Sequence, residues 1–203
     1  MKRAQWLVAG ALAITLTACG ENLPRLAKLG STDAIVAFGD SLTYGTGAAE
    51  HESYPAVLSQ LIGRPVIKEG VPGEVTAQGL QRLPEVIEAH QPKLMIVCLG
   101  GNDMLRKVST AEIKANLRAI IKTIKDRGIA VVLVGVPQPA LITSAPEFYG
   151  EIAKEFAIPY EGKIVTSVLY SPDLKADPIH PIARGYRRIA VVLAGLLRKA
   201  GAI

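Results

Sequence analysis

The feature that most constrains this chain is short. Ala34, Ile35, Val36, Ala37 and Phe38 run without interruption into Gly39-Asp40-Ser41-Leu42. Five consecutive apolar residues bounded by glycine predict a strand covered on both faces, as in a parallel sheet with helices above and below. Such a strand delivers the next residues to the carboxyl edge of the sheet, where open α/β sheets bind their ligands. Here it delivers Ser41. A serine after a strand is also an ordinary turn or helix-capping residue, so its meaning depends on what else reaches that edge.

Further apolar runs at residues 94–99 and 130–136, and a shorter one at 66–67, predict more strands. Helical periodicity fills the gaps between them. Residues 54–62 carry Val57, Leu58, Leu61 and Ile62 on one face, with Ser53 as N-cap. Residues 76–90 carry Leu80, Leu83, Val86 and Ile87, with Pro84 expected to kink the helix or split it in two. Ser109 and Glu112 form a capping-box pattern ahead of Ile113, Leu117, Ile120, Ile121 and Ile124, and Gly128 ends that helix. Residues 146–156 read as a helix, 164–169 as an extended segment, and 181–199 as a long amphipathic helix. Alternating strand and helix predict an α/β fold, with a parallel sheet and right-handed crossovers.

The first residues stand apart. Lys2 and Arg3 precede an apolar run at residues 6–16, and Ala18-Cys19 comes next, the order of a secretory signal. Leu16-Thr17-Ala18-Cys19-Gly20 resembles the lipobox of bacterial lipoproteins. That resemblance implies cleavage before Cys19, acylation of its thiol, and a protein anchored in the bacterial cell envelope facing the periplasm. Two or three acyl chains hold a protein stably where one does not. The expected organisation is a signal peptide at 1–18, a lipidated Cys19 with its tether at 19–32, and one domain at 33–203.

Composition excludes several classes. Removing residues 1–18 takes away two basic residues and no acidic one, lowering the formal charge from +5 to +3. That mild excess, with no basic run, gives no reason to expect a nucleic-acid partner. Tyr44-Gly45-Thr46-Gly47-Ala48 is not a G-x-G-x-x-G loop, so no dinucleotide cofactor is expected. No His, Cys and carboxylate cluster has metal-ligand spacing, and no metal is expected. Cys19 and Cys98 are the two cysteines, and Cys98 lies inside an apolar run as a small core residue. A monomer is expected, large enough to bury about 70% of its unfolded surface without disulfides.

Four loops carry candidate chemistry: Ser41, Gly73, Asn102, and the pair Asp177 and His180. Each has a bland use, as turn, flexible backbone, helix entry or cap. Together they supply every part of an acyl-transfer site. Serine needs a base to take its proton. His180 is the candidate, since His51 lies in a polar loop and His90 near a helix end, both read as solvated. Asp177, three residues earlier in a segment stiffened by Pro178 and Pro181, can orient the imidazole and stabilise its cation. The Ser41 and Gly73 N–H groups and the Asn102 amide are the candidate oxyanion donors. Leu141 and Ile142, in a loop at residues 137–146, form either one wall of an acyl pocket or a cover for the sheet edge.

Gly39-Asp40-Ser41-Leu42, Gly73, Gly100-Gly101-Asn102-Asp103 and Asp177-Pro178-Ile179-His180-Pro181 resemble, in order, the sequence blocks of the GDSL/SGNH hydrolase family. The likeness runs from about residue 34 to the last helix and is nearest the small periplasmic thioesterase, arylesterase and lysophospholipase branch. Gly73 is preferred to Gly70 by the spacing to Thr76-Ala77-Gln78-Gly79-Leu80. The second block departs from the family pattern, with Glu69 where an Asn is usual and Glu74 where an Asp is usual. The resemblance implies a flavodoxin-like three-layer α/β/α sandwich with a mainly parallel five-stranded sheet. It also implies a serine esterase acting on small-molecule or lipid esters. The rival readings are a carbohydrate or peptidoglycan O-acetyl esterase using the same residues, and a non-catalytic envelope lipoprotein.

Overall fold

The computed structural model describes residues 23–138 and 144–203. Cys19, the signal-like segment, Leu141 and Ile142 lie outside the described residues.

Five parallel strands form one sheet in the order β2-β1-β3-β4-β5. They are β1 (Ile35–Gly39), β2 (Val66–Gly70), β3 (Leu94–Cys98), β4 (Ala130–Val134) and β5 (Tyr160–Glu161). β1 and β3 are buried along their whole length and pair from Ile35 with Leu94 to Gly39 with Cys98. The chain first winds outward to β2, then returns across β1 to β3. Strand order therefore reverses between β1 and β3, and the crevice beyond their carboxyl ends is the ligand position of such sheets.

The helices are α1 (Ser41–Tyr44), α2 (Tyr54–Ile62), α3 (Thr76–His90), α4 (Gly101–Leu105), α5 (Thr110–Asp126), α6 (Glu147–Glu155), α7 (Ile164–Tyr170) and α8 (Ala183–Ala200). Leu58, Leu83, Leu117, Ile121, Ile152 and Leu193 are among the side chains that bury helix faces in the core. The expected three-layer sandwich is the architecture found.

Several expectations are corrected. Residues 164–169 are helix rather than strand. Ile164, Val165, Val168 and Leu169 are buried at helical spacing, and the Glu161 carboxylate accepts the Lys163 and Ile164 N–H groups at the helix start. Packing on the core overrides the extended preference of the β-branched residues. The fifth strand is instead the two-residue β5. α3 passes through Pro84 as one helix, because Leu83, Val86 and Ile87 are buried on both sides of it. Only half of the Ser109–Glu112 box forms among the described residues: Ser109 Oγ accepts the Glu112 N–H. Ser53 sits at the α2 cap position, but its hydroxyl donates to Glu50 O. His90 is partnered rather than solvated, with Nε2 2.8 Å from Glu69 Oε1. Within the expected tether, Leu26 and Leu29 donate N–H groups to Ala200 O and Ala202 O, and Leu29 is buried.

Candidate active site

Ser41 is the first residue of α1, immediately beyond β1. Asp40 holds the turn by accepting the Leu42 N–H on Oδ1 at 3.0 Å. The Ser41 N–H, at a helix start, has no hydrogen-bond acceptor among the described residues, as the geometry of a first turn leaves it.

Asp177 and His180 come from the far end of the sequence, in the loop before α8. The loop closes on itself. Ala176 N–H donates to His180 O at 2.8 Å, and Lys175 bridges Pro181. Asp177 Oδ1 accepts the N–H groups of Ile179 and His180 at 2.8 and 2.9 Å. This fixes the carboxylate, so Asp177 is not a cap of α8. Its Oδ2 stands 2.7 Å from His180 Nδ1, and His180 Nε2 stands 3.0 Å from Ser41 Oγ. Two contacts dock this loop on the Ser41 side. The buried Tyr186 donates its hydroxyl to Thr46 O at 2.7 Å. Gly47, at φ 96°, lies so close that a Cβ there would stand 2.5 Å from Pro181 O. A substitution at Gly47 would push His180 away from Ser41.

Asn102 lies just beyond β3, in α4, and lines the same cleft as Ser41. Its amide donates to Glu74 O at 3.0 Å and reaches Asp40 Oδ2 at 3.4 Å. Gly73 is on the loop after β2 with φ 81°, whereas Gly70 is the last residue of β2, paired with Gly39. The Gly73 N–H has no acceptor among the described residues. Gly73 lines the depression beside Glu74 and Arg106 rather than the Ser41 cleft, and Arg106 Nη2 donates to its carbonyl at 2.8 Å. Asp103 bolts the two loops together, accepting both the N–H and the hydroxyl of Thr76.

Sequence reading missed Arg82. Its guanidinium lies 4.2 Å over the Phe38 ring and donates to both Glu74 carboxylate oxygens, to Glu69, and to the carbonyls of Gly39 and Glu69. One cation thus gathers the ends of β1 and β2 and the loop that carries Gly73. No local signal marks it, since an arginine on an amphipathic helix is usually solvated. The acids at Glu69 and Glu74, where the family resemblance implies other residues, are the groups it binds.

The remaining walls of the Ser41 cleft are apolar: Leu105, Val136, Pro137, Leu169, Pro178 and Ile179. The arrangement can withdraw a proton from Ser41 through His180, hold the resulting imidazolium against Asp177, and receive an apolar group beside the serine.

Comparison with known proteins gives a consistent result. Residues 37–188 match the model of the GDSL-like lipase/acylhydrolase family. Thioesterase 1/protease 1/lysophospholipase L1 of Escherichia coli K12 is 29% identical over 162 residues, covering 76% of this chain and 78% of that protein. Esterase TesA of Pseudomonas aeruginosa is 26% identical over 196 residues, covering 90% and 92%. The crystal structure of AlinE4, an SGNH-hydrolase family esterase, superposes with a TM-score of 0.65 at 33% identity, covering 85% of this chain and 98% of that one.

Two carboxyl groups at the site are held away from their ordinary values. Burial pulls Asp177 upward, but hydrogen bonds from the His180 ring and the Ile179 and His180 N–H groups, with the charge of His180, leave it below the usual carboxylate value. Asp40 is 2% exposed. Burial, opposed by the Leu42 N–H and aided by the charges of Glu74 and Asp103, raises it from 3.8 to about 7. The folded state thus binds the Asp40 proton more tightly than the unfolded chain does. Its contribution to stability is full below 3.8 and is lost as pH rises through about 7. Asn at position 40 keeps the acceptor for Leu42 without the charge. In urea unfolding at a series of pH values, Asp40→Asn should gain stability relative to wild type as pH rises across this window, with a constant gap above it. A gap independent of pH contradicts the buried, raised carboxyl.

Proposed function

Because this chain belongs to the GDSL-like lipase/acylhydrolase family and is an ester-bond hydrolase, we propose that it acts through an acyl-Ser41 intermediate on carboxylic esters and thioesters of short to medium acyl chains. The observation that carries this reading is the chain of hydrogen bonds Ser41–His180–Asp177 at 3.0 and 2.7 Å.

In this mechanism Ser41 Oγ attacks the ester carbonyl carbon while its proton passes to His180 Nε2. The carbonyl electron pair moves to oxygen, forming a tetrahedral oxyanion. Asp177 holds Nδ1–H and stabilises the imidazolium. Collapse of the intermediate breaks the bond to the leaving alcohol or thiol, which takes the proton from Nε2. Water, deprotonated by the now neutral His180, then attacks the acyl carbon. Collapse of the second intermediate frees the acid and returns the proton to Ser41.

The oxyanion faces the Ser41 N–H, which has no acceptor among the described residues, and the Asn102 amide, both on the same cleft. The Gly73 N–H is also unengaged but opens on the neighbouring depression, so its part as a third donor rests on the family resemblance. Glu74 O fixes one amide hydrogen of Asn102. The other, at its long approach to Asp40, is the one spent on substrate. A donor already aimed needs no reorganisation as charge develops.

The apolar lining of the cleft, with Leu105, Val136 and Leu169 beside Ser41, supports an acyl group as its occupant. The N-terminal sequence supports export and acylation at Cys19, which would place the hydrolase in the bacterial cell envelope, facing the periplasm. The thioesterase, lysophospholipase and arylesterase names of the relatives fit this substrate class.

Two measurements test the proposal. Asn102→Ala should lower kcat by about 100- to 1000-fold, the cost of one oxyanion donor. A raised KM with unchanged kcat would assign Asn102 to substrate positioning instead. Across p-nitrophenyl esters from acetate upward, kcat/KM should rise severalfold per two-carbon step until the cleft is full, as each buried methylene contributes about 0.8 kcal/mol. Leu169→Ala should flatten that rise. Fastest hydrolysis of acetate, with Leu169→Ala unchanged, would replace this reading by the O-acetyl esterase.

A further inference from the structure

The catalytic residues and the entry of the N-terminal segment occupy opposite poles. His180 lies just before α8 begins, whereas Leu26 and Leu29 hydrogen-bond to Ala200 and Ala202 at its end. Eighteen helical residues at 1.5 Å each separate the two by about 27 Å. β1 and β3 run the same way in reverse: their carboxyl ends carry Ser41 and Asn102, and their amino ends face the pole where the segment docks.

That pole is basic. Arg25, Lys28, Lys93, Arg198 and Lys199 are exposed there, with Arg64 half-buried beside Gly30. Arg25 donates to Lys199 O, Arg198 to Leu61 O, and Arg64 to Gly30 O. A carbonyl does not cancel a guanidinium charge. The α8 macrodipole favours Arg198 and Lys199, but it asks nothing of Lys28 or Lys93, which make no side-chain hydrogen bond among the described residues. Acidic residues at this end of the molecule include Asp33, which accepts the Gly30 N–H, Glu88 in the last turn of α3, and Asp126 at the end of α5, paired with Lys122.

We propose that this pole is a docking surface for an anionic bilayer, which turns the Ser41 cleft away from the membrane. The occupant is indicated by the path of the chain. Cys19 lies seven residues before Leu26, at most about 25 Å of extended backbone, so an acyl group there holds this pole within reach of the headgroups. Each basic residue close to an anionic surface strengthens binding about fivefold. The attraction fades beyond a screening length of about 8 Å at physiological salt. The inference takes its setting from the envelope-anchor reading and reaches past it, to the orientation of the enzyme and a preference for acyl substrates approaching from the aqueous side.

The hydrophobic core and all the described strands and helices lie within residues 26–203, so a chain starting at residue 20 keeps the fold and lacks both the apolar N-terminal run and Cys19. Its co-sedimentation is measured with phosphatidylcholine vesicles, with and without one-third phosphatidylglycerol. Binding should require phosphatidylglycerol and weaken as salt is raised. Combined Lys28→Glu, Lys93→Glu and Lys199→Glu should weaken it more than tenfold while hydrolysis of a soluble butyrate ester stays unchanged. Vesicle-bound enzyme should hydrolyse that ester at the free rate. Equal binding to both vesicle types, full binding by the triple variant, equal affinity for a soluble polyanion such as heparin, or loss of activity on the vesicle each overturns the proposal. Acylation of Cys19 is read separately, from the intact mass of the full-length envelope protein, so failure of the anchor reading is distinguishable from failure of this one.

Discussion

Two fully buried strands, β1 and β3, lie side by side and parallel, and the chemistry depends on the loops that leave their carboxyl ends. Because the strand order reverses between them, the two loops leave the sheet in opposite directions and open a crevice. Ser41 stands on one side and Asn102 on the other. The apolar faces of both strands exclude water beneath them, which makes the register of Ile35 with Leu94 costly to shift. The serine and the amide are therefore held by the core itself.

Polar groups then join parts that the core leaves independent. Arg82 ties the ends of β1 and β2 to Glu74. The Glu74 carbonyl orients Asn102. Asp103 fixes Thr76 at the start of α3. On the other side, Tyr186 and the close approach of Gly47 press the His180 loop against the turn after Ser41. The candidate catalytic constellation is thus assembled from the two ends of the chain by a small number of directional contacts on the sheet. Asp40 sits beneath them, nearly inaccessible to water, and that burial, aided by the nearby charges of Glu74 and Asp103, raises its proton affinity.

The skeleton is legible in the sequence because buried parallel strands need unbroken apolar runs, and β1, β3 and β4 have them. Ser41 and Asn102 are readable because strand ends deliver them, and Asp177 and His180 because they stand three residues apart in a proline-bounded loop ahead of the last helix. The segment that forms α7 reads as extended because Ile164, Val165 and Val168 favour extended backbone locally, and only packing in the core decides otherwise. β5 is too short to leave a pattern, and Pro84 gives no hint that flanking burial will carry the helix through it. Arg82 and the raised Asp40 are invisible for another reason. Their roles arise from surroundings distant in sequence: Phe38 with Glu74 in one case, and in the other the burial that the folded core imposes on Asp40, with the charges of Glu74 and Asp103 adding to it.

The central claim is that Ser41 is made nucleophilic by His180 and forms the covalent intermediate. Labelling with a fluorophosphonate, followed by peptide mass spectrometry, tests it most directly. The account predicts one label per chain, on Ser41, forming rapidly in the wild type and far more slowly in folded His180→Ala. A label on another serine, or equally fast labelling of Ser41 without His180, would contradict it.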